Sequence, residues 1–257
     1  MSQKKLRLKV RHFRALPIDR PGYEEEFFEL PAGEVALVGM HCWNIGCPDG
    51  PAVDLNYCVD MGWPQSTAES WRIMQEVIRP AMDACRSAGV RVCHVETDWM
   101  DAQYPRVPSR RTPPPPYTPP QTLAGQMAER AHGIDYLRRS PLARMKRAEL
   151  VSPIGDEPLV FYTDQLHEYL KQRGIHTLVY AGFAADMCVL GADGGGRAML
   201  GQGYRCVLMR DGTVGVETPQ SFPERLATRY GVHIFEWQIG YSTTFADFLQ
   251  AVKIVKG

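Results

Sequence analysis

The chain has 257 residues, 44% of them hydrophobic, which is enough for one large domain with a sizeable core. Lysine plus arginine and aspartate plus glutamate both number 29, so there is no basic surplus to attract nucleic acid or an anionic membrane. The amino-terminal segment lacks an apolar run of signal-peptide length, and no window reaches the length of a membrane span. We therefore expect one soluble, cytoplasmic domain over residues 1–257, with a small-molecule substrate and neither nucleic acid nor membrane as partner.

Short apolar runs alternate with helical patterns along most of the chain. The runs that predict strands are 34–41, 90–97, 158–161, 176–182, 204–209 and 232–236. The patterns that predict helices are 70–89, 164–174, the segment after Cys188, 221–231 and 243–255, and several of them end in glycine. Strands buried on both faces that alternate with helices predict an α/β fold, with a mostly parallel sheet of about six strands between two helical layers.

One segment interrupts this alternation. Residues 104–121 hold eight prolines and three arginines, a composition that excludes a helix or a central strand. Three interpretations stay open: a surface loop rich in polyproline II, a lid over a site, and a docking peptide for a partner domain.

The cysteines point to one candidate site. Seven cysteines without a CxxC pair favour buried free thiols over disulfides or a zinc knuckle. Cys188, however, follows the run that stops at Gly182, where a helix begins, and the start of a helix stabilises a thiolate. It is either a nucleophile or a small core residue. His41, at the end of the first strand, is either its base or a histidine satisfied locally.

Four glycines follow Cys188 closely: Gly191 and residues 194–196. Each glycine inside a helix lowers helix stability by about 1 kcal/mol relative to alanine. We therefore expect a packing reason for the absence of side chains here. We expect these glycines to let the helix of Cys188 approach a neighbouring element at backbone distance, and Gly195→Leu to damage folding.

Several segments together resemble the isochorismatase-like cysteine hydrolases, which include nicotinamidases and N-carbamoylsarcosine amidases. The segments that carry the resemblance are ALVGMHCWN, YLKQRGIHTLVYAG, LVYAGFAADMCV and GYRCVLMRDGT. The resemblance implies a Rossmann-like three-layer α/β/α sandwich, an Asp–Lys–Cys catalytic set and an acyl-enzyme intermediate. It makes Cys188 the nucleophile, forms the oxyanion hole from the amides of Ala184 and Cys188, and implies a cis peptide near Phe183–Ala184.

The sequence departs from the family pattern at the other two catalytic positions. His41 stands where the family has its aspartate, while Asn44 matches the family's asparagine. No lysine occupies the usual place, so the candidate cation is Lys146, unless the basic run around it is a solvated helix face.

The resemblance also bears on metal and substrate. Nicotinamidases bind metal through a DWH motif, but this chain keeps Asp98 and has Met100 in place of the histidine, so we predict no metal and no other cofactor. Aromatic side chains near strand ends are candidate walls for a planar substrate, and Asp98 is a candidate polar contact. The predicted substrate-binding residues are Trp43, Asn44, Asp98, Trp99 and Phe183.

Two classes of function follow from these patterns. The first is a cysteine hydrolase that cleaves a small-molecule amide or related C–N bond through an acyl-enzyme on Cys188. The alternative is a catalytically inactive relative that binds a small molecule or another protein, because a fold does not guarantee its usual chemistry. In either case the resemblance favours a homo-oligomer.

Overall fold

The computed structural model describes residues 4–57, 63–105, 107–109, 123–133 and 139–256. In this part of the chain the strands are β1 Lys5–Arg14, β2 Gly22–Pro31, β3 Val35–Met40, β4 Arg91–Val95, β5 Leu159–Val160, β6 Thr177–Gly182, β7 Arg205–Met209 and β8 Tyr241–Thr243. The α-helices are α1 Pro64–Ile73, α2 Arg79–Ala88, α3 Leu123–His132, α4 Thr163–Lys171, α5 Cys188–Gly191, α6 Gly196–Gly201, α7 Leu226–Gln238 and α8 Phe245–Lys256. A π-helical turn, Met74–Ile78, joins α1 to α2.

The strands form one sheet in the order β2-β1-β8-β7-β6-β3-β4-β5. The six strands from β8 to β5 in this order are mutually parallel, and β1 is antiparallel to both β2 and β8. One face packs on α1, α2 and α8, and the other on α4 to α7. This arrangement confirms the predicted three-layer α/β/α fold.

Two strands at one side of the sheet were not predicted. β1 and β2 form an antiparallel hairpin of ten residues each, and charged residues occupy many of their positions. Only alternate residues of β1, such as Leu6, Leu8 and Val10, are buried. Most of the other positions are polar, so the amino-terminal segment lacks the continuous apolar run that marks the central strands.

The segment around Gly231 was predicted wrongly. Residues 232–236 form no strand, and the predicted helix does not end at Gly231, because α7 runs through both segments. The sixth parallel strand is instead β8, which has only three residues. A short apolar run is ambiguous between strand and helix, and a glycine ends a helix only where nothing else requires its small size.

The glycines after Cys188 separate two helices rather than lying inside one. α5 ends at Gly191 and α6 begins at Gly196, and between them Gly194 has φ +70°, in the left-handed region. A Cβ on Gly196 would lie 2.8 Å from the ring of Phe235, so the close approach is between α6 and a side chain of α7, and not the backbone contact expected for the helix of Cys188.

The proline-rich segment lies mostly outside the described residues. Within its described residues, 104, 105 and 107–109, the carbonyl of Val107 accepts from Gln165 at 2.9 Å, and the Ser109 hydroxyl donates to Asp164 at 3.0 Å. Residues 107–109 are therefore attached to the beginning of α4.

Candidate functional site

The carboxyl ends of β3, β4 and β6 meet at one edge of the sheet. Met40, the last residue of β3, is in register with Val95 on one side and Gly182 on the other. A Cβ on Gly182 would lie 1.9 Å from the Met40 carbonyl oxygen, and its φ is +134°, so only glycine suits this end of β6. The residues that follow these three strands therefore converge.

The turn after β6 presents Cys188 at the start of α5. The carbonyl of Ala184 accepts from the amides of Met187 and Val189, both at 3.1 Å, which closes the turn. The peptide bond between Phe183 and Ala184 is cis, as the resemblance implied. Cys188 is half-buried, whereas the other cysteines in the described part of the chain are fully buried.

A small cavity of about 160 Å³ lies at this junction. Its described lining is His41, Glu96, Thr97, Asp98, Trp99, Phe161, Cys188, Ala192 and Asp193. Four predicted site residues are thus brought together: Cys188, His41, Asp98 and Trp99. Asp98 and Trp99 are exposed at the rim, while Cys188 and the buried His41 lie on the walls.

His41 is buried directly after β3 in a left-handed conformation, with φ +45°. Its amide donates to the Val95 carbonyl at 2.8 Å, and its ring lies 5.6 Å from the Trp43 ring, centroid to centroid. Its Nδ1 has no hydrogen-bond partner among the described residues. Burial, together with the nearby positive charge of Arg147, lowers the pKa of His41 to about 3, so the imidazole is neutral near pH 7.

Glu96 is the buried acid of the cavity, and its counter-ion is Arg147. Glu96 Oε1 lies 2.6 Å from Arg147 Nη1 and also accepts the Cys42 amide at 3.1 Å. Both side chains are almost completely buried. Glu96 Oε2 and Arg147 Nη2 have no hydrogen-bond partner among the described residues. Burial raises the pKa of Glu96 to about 7, against the lowering effect of Arg147.

The position of Arg147 depends on an unusual glycine within a strand. Arg147 Nη1 donates to the Gly39 carbonyl at 3.3 Å, and Arg147 Nε donates to the Val151 carbonyl at 2.9 Å. A Cβ on Gly39 would lie 2.7 Å from Arg147 Nη2. Sequence reasoning missed both Glu96 and Arg147, although Gly39 inside a buried apolar strand signals a close approach.

The other predicted residues are placed around the cavity rather than in its lining. The Lys146 side chain is exposed, and its backbone amide donates to Asn44 Oδ1 at 2.8 Å. Asn44 Nδ2 donates to the Asp49 carbonyl at 3.0 Å, so Asn44 ties two loops together. Trp43 forms a β-bridge with Arg147, and Phe183 and Ala184 are buried. These contacts hold Arg147 and the cysteine turn in place.

A sequence model of the isochorismatase domain matches residues 56–224, well over half of the chain. This chain belongs to the isochorismatase family. Membership places it among the isochorismatase-like hydrolases and agrees with the α/β/α fold.

Solved structures of isochorismatase-like proteins share the fold. The chain is similar to a cysteine hydrolase from Pseudomonas syringae pv. phaseolicola 1448A, with 14% identity, a TM-score of 0.55, and coverage of 87% of this chain and 94% of that one. It is also similar to an isochorismatase-like hydrolase from Alkaliphilus metalliredigens, with 16% identity, a TM-score of 0.51, and coverage of 85% and 98%. A search of curated proteins found no match. At these identities the likeness concerns the fold alone.

Met100 stands where the resemblance to nicotinamidases placed a metal-binding histidine. Met100 is fully buried, and a thioether is a poor ligand for zinc or manganese. In the described ranges, no three His, Cys, Asp or Glu side chains are grouped as a metal site would need. Among the same residues, no helix has the length and apolar character of a membrane span.

Proposed function

We propose that this isochorismatase family member is a cysteine hydrolase that cleaves a C–N bond of a small amide through an acyl-enzyme on Cys188. The observation that carries the proposal is the shared cavity, in which a half-buried thiol at the start of a helix faces the same space as a buried carboxyl group and an imidazole. A nucleophile with a proton acceptor in one cavity is the arrangement that covalent hydrolysis requires.

We assign the proton acceptor to Glu96 rather than to His41. A general base works best when its pKa is near the working pH, and the pKa of Glu96 is raised to about 7 whereas that of His41 is lowered to about 3. Arg147 and the Cys42 amide hold one oxygen of Glu96, which leaves Oε2 for the proton. His41 then serves as a neutral hydrogen-bonding wall.

The reaction has two halves. Glu96 takes the proton of the Cys188 thiol, and the thiolate attacks the amide carbonyl to form a tetrahedral oxyanion, which the amides of Ala184 and Cys188 stabilise. The C–N bond then breaks as Glu96 returns the proton to the leaving nitrogen, and the acyl group stays on sulfur. In the second half Glu96 takes a proton from water and the resulting hydroxide attacks the thioester. As the C–S bond breaks, Glu96 returns the proton to the Cys188 sulfur, and the acid is released.

The cavity limits the size of the substrate. A volume of about 160 Å³ equals roughly five water molecules' share of the liquid, and it is below the range of most ligand pockets. Trp99 and Phe161 supply aromatic surface in its lining. We therefore propose a compact, planar amide, urea or carbamoyl compound as substrate.

Turnover by matched cysteine variants tests this proposal. We expect the wild-type protein to release ammonia or amine from at least one member of a panel of small amides, ureas and carbamoyl compounds. Cys188→Ser should abolish release, whereas Cys206→Ser, a buried cysteine outside the cavity lining, should retain it. Mass spectrometry of the acid-quenched reaction should find the acyl group on the peptide that contains Cys188.

The same panel separates the hydrolase from a non-catalytic relative. The observation that favours the latter is the replacement of the family's aspartate by a buried, neutral His41. Calorimetric binding of a panel member without release of product and without an acyl adduct would support a binding module and reject the hydrolase.

A further inference from the structure

A second cleft, larger than the cavity at Cys188, lies between the amino-terminal hairpin and α7. Its volume is about 670 Å³, and its lining is Arg11, Tyr23, Arg210, Leu226, Thr228, Arg229, Tyr230, Val232, His233 and Glu236. Three arginines and one glutamate face it, so its walls carry a surplus of positive charge in a chain whose formal net charge is zero.

The glutamate is already neutralised by one arginine. Glu236 is buried, and its Oε1 accepts from Arg11 Nε and from the Ser242 hydroxyl, at 2.8 and 2.5 Å. Arg11 Nη2 lies 2.8 Å from the same oxygen, and the guanidinium stacks on the Tyr23 ring at 4.4 Å. The pair fastens the hairpin to α7 and engages the carboxylate in the described lining of the cleft.

Arg210 lies half-buried in the cleft and is not paired with a carboxylate at contact distance among the described residues. Its Nη1 donates to the neutral Ser242 hydroxyl at 3.1 Å, and it forms no salt bridge to any carboxylate in the described ranges. Asp211 accepts the Phe245 amide at 2.8 Å, and Asp247 accepts the Thr244 hydroxyl at 2.7 Å. Burial and the neighbouring Arg11 lower the pKa of Arg210, and they outweigh the opposite effect of Glu236 and of two nearby aspartates.

Arg229 brings a further guanidinium to the same space. It is exposed on α7, four residues before His233 and seven before Glu236, so all three side chains lie on one face of the helix. No described carboxylate forms a salt bridge with it. His233 Nδ1 and the Tyr23 hydroxyl lie 2.9 Å apart, which links this face of α7 to the hairpin.

We propose that this cleft binds the oxyanionic group, phosphate or carboxylate, of a small molecule between Arg210 and Arg229. Guanidinium forks match the geometry of both groups and bind them through paired, charge-assisted hydrogen bonds. The tyrosine rings and Leu226 offer surface for the rest of the ligand. This site is separate from Cys188 and does not depend on the proposed hydrolase activity.

Calorimetric titration at constant ionic strength tests the site, with inorganic phosphate and succinate as probes. We expect saturable binding of at least one probe to the full chain, weakened about tenfold or more by Arg229→Gln and by Arg210→Gln. Arg20→Gln, an exposed arginine outside the cleft, should bind as the wild type does. The probe that binds more tightly identifies the preferred headgroup.

Two further results decide the interpretation. Cys188→Ser should bind the probe unchanged, which separates this site from the catalytic proposal. Arg229 is exposed, so Arg229→Gln should keep the wild-type melting temperature. If Arg210→Gln fails to fold, the comparison of Arg229→Gln with the wild type still tests the site. Absence of saturable binding of both probes, or equal affinity in the wild type and Arg229→Gln, would overturn the proposal.

Discussion

The buried pair of Glu96 and Arg147 gives the candidate site its electrostatic character. Removing both groups from water is costly, and the 2.6 Å contact offsets this only in part, so the pKa of Glu96 stays raised at about 7. The same guanidinium adds to the burial effect that lowers the pKa of His41. One cation therefore helps to set the protonation of two cavity residues.

The sequence could indicate Cys188 but could not assign its partners. Cys188 stands out because it follows a buried strand and begins a helix, and both features can be recognised in the sequence. Whether His41 or Glu96 is the better base depends on burial and on Arg147, which is distant in sequence from both. Lys146 and Arg147 are adjacent in the chain, and only the packing shows which of them is buried.

His41 should make the fold sensitive to acid. Its pKa is lowered from an ordinary 6.5 to about 3. Between these two values the unfolded chain binds a proton at His41 and the folded chain does not. The free energy of unfolding should therefore fall as the pH drops from about 6.5 towards 3. Asparagine tolerates the left-handed backbone at this position. Between pH 6.5 and 4.5 we therefore expect the free energy of unfolding of His41→Asn to fall by roughly 2 kcal/mol less than that of the wild type.

Urea unfolding across this pH range measures the effect. The slope of unfolding free energy against pH is the readout, because the substitution also changes the absolute stability. The exposed His176→Asn should leave the slope as it is in the wild type. An unchanged slope in His41→Asn would contradict a buried, neutral His41.

Among the elements, α7 supports the cysteine turn from behind. Gly231 lies inside this helix, where the backbone of Ala185 and Asp186 passes against it. From the sequence, Gly231 indicated the end of a helix, because glycine is the usual residue there. Gly231 is needed because its backbone packs against a segment about 45 residues away, and a local sequence pattern cannot predict such a contact.

Gly231→Ala should destabilise the protein and disturb the cysteine turn. The added Cβ would lie 2.4 Å from the carbonyl carbon and oxygen of Ala185, where backbone must move, and such overpacking costs about 1–3 kcal/mol. Gly201→Ala, in α6, meets nothing within 4 Å and should be neutral or slightly stabilising. Melting temperatures of the two variants measure the difference. Equal melting temperatures would show that the contact does not constrain the turn.

For the whole molecule, the amino-terminal hairpin completes the sheet. β1 contacts both β8 and α8, and the Arg11–Glu236 pair ties it to α7. Most of the central strands could be expected from continuous apolar runs, but the hairpin could not, since half of its residues are polar. Its pairing with β8 is a contact between the two ends of the chain.

Leu8→Ala should therefore lower the free energy of unfolding as much as shortening a buried side chain in the central strands does. Leu8 is fully buried, and removing a buried leucine side chain costs about 2–5 kcal/mol. Phe27→Ala in β2, where the ring is 52% exposed, should cost much less. Urea unfolding compares the two variants. A Leu8→Ala protein of wild-type stability would mean that the hairpin is an appendage rather than part of the core.

The central claim is that Glu96 activates Cys188. Glu96→Gln leaves Arg147 buried without its counter-ion, at a cost of roughly 3–5 kcal/mol, so its fold must be checked by circular dichroism. Glu96→Asp keeps the charge and shortens the side chain, and it provides a second variant.

The most direct measurement is the rate at which iodoacetamide alkylates Cys188 as a function of pH, with peptide mapping to separate it from the other cysteines. We predict that Cys188 in the wild type reacts faster at pH 7 than free cysteine, and that both Glu96 variants slow it about tenfold or more. The buried cysteines are internal controls, since burial raises the pKa of Cys42 and Cys206 to about 12. A Cys188 that reacts no faster than free cysteine, at a rate indifferent to Glu96, would contradict the account.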